Sequence, residues 1–430
     1  MAPADGAGEV VVTGMGVVSS IACDLAGYAA ALRAGRCGMR AVAPAAGAPG
    51  PVRVQAPVQG FAWRAALARH ADTLAPCWRR AQPILRMAPR SLQMSASAAM
   101  QAVEAAALLP LAHGAGARVG VVVGGSNLHL AAAYDAARRL DGHAGALNPR
   151  HAVYMFDSAQ VGALTEIFGF HGPSLTVGAA SASGNAALFQ AWTWLRAGVL
   201  DACLVVGAGS DLSALELEAF DAIGALGGAA MAAQPGRACR PFDRAHDGFV
   251  WGEGSAALVL ESAAHACARG AAVRGRVLGA SLQMDGNHLT DSSVAGEVRA
   301  MRAALAAAGL PAAAIAYVNA HGTATALGDR TECAALREVF GARAGAVAVN
   351  ATKSLTGHCL GASGVLEAVA CLLQMDGGFL HPTNNLDDPI DAVLDFVAGA
   401  ARAGAPALAM SNGFGFGGVN STIILGKETT

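Results

Sequence analysis

The sequence has little charge: Asp, Glu, Lys and Arg make up 14% of its 430 residues, and the formal net charge is −2. That balance gives no electrostatic footprint for a phosphate backbone, which argues against nonspecific nucleic-acid binding. No apolar run reaches about 18 residues, so no membrane span is expected. The opening stretch Met1–Gly6 lacks a charged n-region and an apolar core, so no secretory signal is read and a cytoplasmic protein is expected. Closely spaced cysteine pairs are also missing. The nine cysteines (Cys23, Cys37, Cys77, Cys203, Cys239, Cys267, Cys333, Cys359 and Cys371) are scattered and odd in number. This argues against a disulfide framework and a zinc site, and no metal is expected. Cys359 follows a histidine but reads as a packed thiol. Neither a Gly-x-Gly-x-x-Gly turn after an N-terminal strand nor a P-loop is found, so a nucleotide cradle is not expected.

What the chain does have is apolar residues, 54% of the total, and 54 glycines, enough for a large core built as two or three small domains or one duplicated one. Apolar strands followed by Ala/Leu-rich helices recur, with strand cores at 10–13, 118–124, 174–177, 203–207, 256–261, 276–280, 316–319, 347–350, 407–411 and 422–425. This alternation favours layered α/β packing. The Gly/Pro/Ala-rich segments 41–57 and 229–240 read as loops.

Four segments carry the chemistry. In the stretch 172–185 an apolar strand to Val177 runs through Ser181 into a helix from Ser183 that closes at Gly198. Ser181 thus stands on a strand-to-helix elbow, where free N–H groups and the helix dipole favour an anion. Either Ser181 or Ser183 could instead be a helix cap. The second segment is a strand ending at His321 with the hydroxyls Thr323 and Thr325 behind it, then Asp329 and Glu332. A third repeats the form, leading through Lys353 to His358 and on to Gly361-Ala-Ser-Gly364 and Glu367. Each histidine alone could be a hydrogen-bonded turn residue, but two placed alike at strand ends are harder to dismiss. The fourth, Gly413-Phe414-Gly-Phe416-Gly417-Gly-Val-Asn420, is a turn whose glycines let the backbone present an N–H to a ligand.

Together these segments resemble the beta-ketoacyl-acyl-carrier-protein synthases of fatty-acid and polyketide assembly. The opening strand from Val10 to Gly16 and the stretch from Arg240 to Gly254 extend the likeness over nearly the whole chain. The resemblance implies the thiolase fold, a five-layer αβαβα duplication, here divided as 1–255 with the nucleophile elbow and 256–430 with both histidines. It implies that Ser181 stands where the family has its acyl-accepting cysteine, that His321 and His358 are the two active-site histidines, and that Lys353 and Glu367 are the charged pair supporting them. The N–H groups of Ser181 and Phe416 would form an oxyanion hole. Phe414, Phe416 and Gly417 would gate the extender substrate, and Thr323 and Thr325 would bind substrate. The substrate would arrive on the phosphopantetheine arm of acyl carrier protein, with no cofactor bound by the chain itself. A homodimer or a ketosynthase heterodimer is implied as well. Arg79, Arg80, Arg86 and Arg90 are either a solvated helix face or a docking surface for the acidic carrier.

Serine changes the chemistry. A helix dipole that ionises a thiol of pKa about 8.5 does not ionise a hydroxyl, so Ser181 needs a general base, His321 or His358. Its oxygen ester would also be a poorer electrophile toward a carbanion. The leading expectation is a ketosynthase-like acyltransferase with acyl-Ser181, followed by condensation, transfer or off-loading cyclisation. Acyl transfer, hydrolysis and decarboxylation all gain ground over condensation. The alternative is a non-condensing partner subunit resembling chain-length factors. Gly178 and Ala179 also depart from the family, which more often has a larger residue and Thr or Ser there. A laboratory Cys-to-Ser change would alter one position only.

Overall fold

A computed structural model describes residues 8–43, 53–111, 114–140, 147–287 and 290–428. Its first half contributes strands β1 (Val10–Ser19), β2 (Arg40–Val42), β3 (Arg53–Gln55), β4 (Val119–Gly124), β5 (Leu175–Val177), β6 (Ala202–Ala208) and β7 (Gly254–Ser262). The second half adds β8 (Gly275–Met284), β9 (Tyr317–Asn319), β10 (Ala348–Asn350), β11 (Phe379–Leu380), β12 (Asp395–Phe396), β13 (Arg402–Ala403), β14 (Leu408–Gly415) and β15 (Val419–Gly426). Eleven of these form one continuous order, β12-β10-β9-β14-β15-β8-β1-β7-β6-β4-β5.

The order is that of two like sheets joined at an edge. In the first, β5, β4 and β6 run parallel, then β7 and β1 antiparallel. In the second, β12, β10, β9 and β14 run parallel, then β15 and β8 antiparallel. They meet where Val10–Val12 pair with Gly275–Val277. Because β7 pairs along its length with β1 and β6, residues 256–262 lie in the first half's sheet, although the sequence reading begins the second half at 256.

Both faces of each sheet are apolar, as the two-residue period of a doubly covered strand requires. On β6, Cys203 and Val205 face a central core while Leu204 and Val206 face an outer one. Ala256 and Leu258 on β7 alternate in the same way with Ala257 and Val259. The central layer consists of the Ser183–Arg196 and Ser363–Gly377 helices, which pack on each other and on both sheets. The Arg90–Ala105 and Ser158–Phe168 helices cover the first sheet outside, and the Val294–Ala308 and Ala326–Phe340 helices cover the second. This is the five-layer arrangement the resemblance implies.

Two local expectations need amendment. The segment read as a loop at 41–57 is flanked by the paired strands β2 and β3, residues 44–52 lying outside the described residues. The segment 229–240 contains short 3-10 turns at Ala229–Met231 and Pro235–Arg237. Of the four arginines, two carry bonds to the rest of the chain: Arg80, itself exposed, donates to the Ile167 carbonyl (2.8 Å), and the half-buried Arg90 pairs with Glu253 (2.9 Å). Arg79 and Arg86 are exposed. Among the described residues, no helix is long and apolar enough to cross a membrane.

Candidate active site

The two central helices begin alike. Each follows a residue held at positive φ, Ala180 (46°) or Leu360 (49°), and then a 3-10 turn, Ala180–Ala182 or Leu360–Ala362. An alanine at positive φ is sterically costly, and such strain is typical of an elbow that must aim a side chain. Neither serine caps the helix; the Ser183 hydroxyl instead ties back the elbow, accepting from Ala179 N (2.8 Å) and donating to the Ala180 carbonyl (2.7 Å). Ser181 is thereby left to face the site, with its Oγ 2.9 Å from His358 Nε2.

His358 sits on a turn opened by Gly357, whose φ is +71°. Its backbone is fixed on both sides, its N–H donating to the Val250 carbonyl (2.7 Å) and its carbonyl accepting from Gly252 N (3.0 Å). The ring Nδ1 lies 3.1 Å from Ser363 Oγ, and Phe249 meets the imidazole edge-on at 5.4 Å.

His321 is held by the carboxylate of Glu332, which accepts from the N–H groups of His321 (2.9 Å) and Gly322 (2.8 Å). The fully buried Lys353 completes the arrangement. Its Nζ lies 2.6 Å from Glu367 Oε1, 2.6 Å from the His321 carbonyl and 3.2 Å from His321 Nδ1. An ammonium has three N–H donors, and these acceptors use all three. His321 Nδ1 is therefore an acceptor, and its ring proton is on Nε2. The two imidazoles stand edge-on, with centroids 5.6 Å apart.

Burial keeps both histidines neutral, well below the usual imidazole range, and the Lys353 ammonium adds to the effect. Glu367 is pushed up to about 7 by burial, against the pull of Lys353. Cys359, beside His358, is buried and its thiol is pushed up to about 12, which makes it an inert packed residue.

A cavity of about 470 Å³ is lined by Ser181, His321, His358, Thr323, Thr325, Phe414 and Phe416, among others. The Thr323 and Thr325 hydroxyls are 2.9 Å apart on the strap behind His321. Phe414 packs edge-on to His321 at 5.6 Å, whereas Phe416 is 42% exposed and rests near Phe220 at 6.4 Å. The Gly-rich segment is the β14–β15 hairpin turn, with Gly417 and Gly418 at φ +83° and +72°. It approaches the elbow so closely that a Cβ at Gly415 would lie 2.6 Å from the Ala179 carbonyl. Lys353 and Glu367 stand behind the histidines and do not line the cavity.

Sequence reasoning passed over Ser363, Phe249 and Phe220. Ser363 had a signal, a hydroxyl five residues past His358 at a helix start. Phe249 lies in the Arg240–Gly254 stretch, which carried the resemblance without giving that residue a role, and Phe220 has no local mark.

Comparison with known proteins agrees with this geometry. Residues 7–266 match "Beta-ketoacyl synthase, N-terminal domain" and residues 274–387 match "Beta-ketoacyl synthase, C-terminal domain". The chain is 40% identical over 308 residues, 72% of its length and 74% of the relative's, to the polyketide biosynthesis malonyl-ACP decarboxylase PksF of Bacillus subtilis. A beta-ketoacyl synthase from Burkholderia phymatum superposes with a TM-score of 0.87 at 32% identity, covering 98% of this chain and all of that one. The ishigamide ketosynthase/chain length factor superposes at 0.83 with 30% identity, covering 98% and 99%. By sequence and by fold, the chain belongs to the beta-ketoacyl synthase family of fatty-acid and polyketide biosynthesis.

Proposed function

We propose that the protein decarboxylates a malonyl-type thioester carried on the phosphopantetheine arm of acyl carrier protein, and that the resulting enolate takes up a proton instead of attacking an acyl group. The observation that carries this reading is the contact of Ser181 Oγ with His358 Nε2, in a site where both histidines are held neutral. If Ser181 were the acyl acceptor, His358 would have to take its proton and become an imidazolium. Burial and Lys353 oppose that charge, and no carboxylate bonds His358 Nδ1, which faces Ser363. The same environment suits a neutral hydrogen-bond donor. With Ser363 donating to Nδ1, the Nε2–H of His358 points into the cavity, as does that of His321.

Two such donors stabilise the oxygen of an enolate. When the malonyl C–C bond breaks, carbon dioxide leaves and the bonding pair passes into the thioester, placing charge on its oxygen. Donors already aimed at that oxygen in a dry site lower the barrier without reorganisation. Lys353 and Glu367 act as positioning residues, fixing the His321 tautomer. Thr323 and Thr325 offer hydroxyls to the arm, Phe414 and Phe416 border its path, and Ser181 N–H and Phe416 N–H flank the carbonyl. PksF, named a malonyl-ACP decarboxylase, is consistent with this assignment.

The second reading is acyl transfer through Ser181, favoured by its 2.9 Å approach to an imidazole. Intact-mass spectrometry with malonyl-carrier protein separates the two. Decarboxylation shows as loss of carbon dioxide from the carrier with no mass added to the enzyme, and Ser181→Ala retains it. An acyl adduct on the protein that Ser181→Ala abolishes would establish transfer instead. The partner-subunit reading leaves no task for two neutral histidines and their Lys–Glu support, and it predicts neither result.

A further inference from the structure

One wall of the cavity carries a carboxyl group with no task in the steps above. Glu297, in the first turn of the Val294–Ala308 helix, is only 1% exposed yet lines the cavity that holds Ser181, His321 and His358. Its Oε2 is buried without a hydrogen-bond partner among the described residues. Among the described residues no cation pairs with it. Its charged neighbours are the carboxylates of Glu332, Asp285 and Asp329. Of these, Glu332 is engaged by the backbone of His321 and Gly322 and Asp329 by that of Phe242, while Asp285 has Arg299 at 3.2 Å. Burial and this ring of acids hold Glu297 well above the usual carboxylate range, which favours its protonated form. A second orphan shares the wall: Asn420 lines the same cavity, and its buried side-chain Nδ2 has no partner among the described residues. Two unpartnered polar groups on one cavity wall point to a polar occupant, since burying either alone costs about 1–3 kcal/mol.

Resting on the decarboxylase reading, we propose that Glu297 is the acid that protonates the enolate carbon. A condensing enzyme has no such need, because its enolate forms a C–C bond. Here the pair released from the malonyl C–C bond must instead form a C–H bond. The proton comes from the Glu297 carboxyl, the product is the acetyl thioester, and the Glu297 carboxylate is reprotonated from water through the cavity mouth. The two histidines cannot take this part without giving up the hydrogen bonds that hold the enolate oxygen. Of the other carboxylates lining the cavity, Glu332 is bonded to the backbone of His321 and Gly322, Asp285 is paired with Arg299, Glu216 is bonded to Ser213, and Asp291 is exposed.

The test follows malonyl-carrier protein in buffer containing carbon-13 bicarbonate, with Glu297→Gln and Glu297→Ala as variants. Both remove the acid, and Ala suits a helix interior should Gln pack badly. With the acid gone the enolate persists and recaptures carbon dioxide. Label should then enter malonyl-carrier protein faster than acetyl-carrier protein forms, with net turnover reduced by about 10². A residue with only a structural role would lower both processes together and leave their ratio unchanged. A folded variant with wild-type rate and wild-type label ratio overturns the assignment while leaving decarboxylation intact. Absence of carbon dioxide release from the wild-type protein itself overturns the decarboxylase reading and this one with it.

Discussion

His358 and His381 are buried and His321 half-buried at the cavity wall, and the surroundings of all three accept the neutral ring. His381 Nδ1–H donates to the Pro382 carbonyl (3.0 Å) and Nε2 accepts the Thr352 hydroxyl (2.9 Å), in a buried network that also ties Asn319, at the end of β9, to Thr352 (2.7 Å). Burial lowers its pKa to about 4, and lowers the two cavity histidines well below their ordinary value. A histidine whose folded pKa lies below its unfolded one is protonated first in the unfolded chain. Its contribution is therefore whole above about pH 6.5 and is lost as pH falls toward the folded value, by about 1.4 kcal/mol per unit. For His381 alone this amounts to about 3 kcal/mol between pH 6.5 and about 4. Thermal midpoints should fall steadily over that window, and His381→Gln should flatten the decline. Turnover per folded molecule should not follow an ordinary imidazole titration, since burial holds both cavity histidines well below their usual range, and any change centred near pH 7 belongs to Glu367, which burial pushes up to about 7. A loss of turnover centred on the ordinary imidazole pKa of about 6.5 that persists in Glu367→Gln would mean the cavity is wetter than its geometry indicates.

The two central helices owe their approach to two glycines at equivalent places, Ser183-Gly184 and Ser363-Gly364. A Cβ at Gly184 would stand 2.8 Å from Val365 N, and one at Gly364 would stand 2.6 Å from Asn185 N. Both obstacles are backbone, which cannot yield without moving a helix that carries part of the site. Gly184→Ala and Gly364→Ala should each cost about 3 kcal/mol in thermal unfolding and weaken turnover in the protein that still folds. Gly162→Ala, in the Ser158–Phe168 helix with open space around the added methyl, should be neutral or slightly stabilising. These contacts show what sequence could convey. The strand cores and the elbow were legible because period-two apolar runs and helix-start serines are local signals. So were His321, Lys353 and His358, each after a readable strand, whereas Glu367, inside the following helix, was marked by the family resemblance. The β2–β3 pairing was hidden under Gly and Pro, whose turn signal outweighs three-residue strands. Phe220 and Glu297 acquire meaning only when separate layers converge, and no local pattern encodes that.

At the scale of the molecule, β5 closes one end of the sheet order, and a flat, unprotected edge is a place for another chain to pair. Beside it, Val153, Met155 and Phe156 are each more than half exposed, and Thr176 on β5 donates to the Asp157 carbonyl (3.2 Å), linking patch and edge. Large apolar side chains grouped next to an open strand mark an association surface. The surface leads directly to the site, because the Asp157 carboxylate accepts from Asn127 N (2.8 Å) and Leu128 N (2.9 Å), and Asn127 lines the cavity. The purified protein should therefore be a homodimer by light scattering. Met155→Asp combined with Phe156→Asp should yield a monomer with unchanged circular dichroism, and decarboxylation should fall by about 10-fold or more as the Asn127 wall loses its support. A wild-type monomer would refute the association surface. A monomeric variant with full activity would show instead that the cavity is complete within one chain and that pairing at β5 serves stability alone.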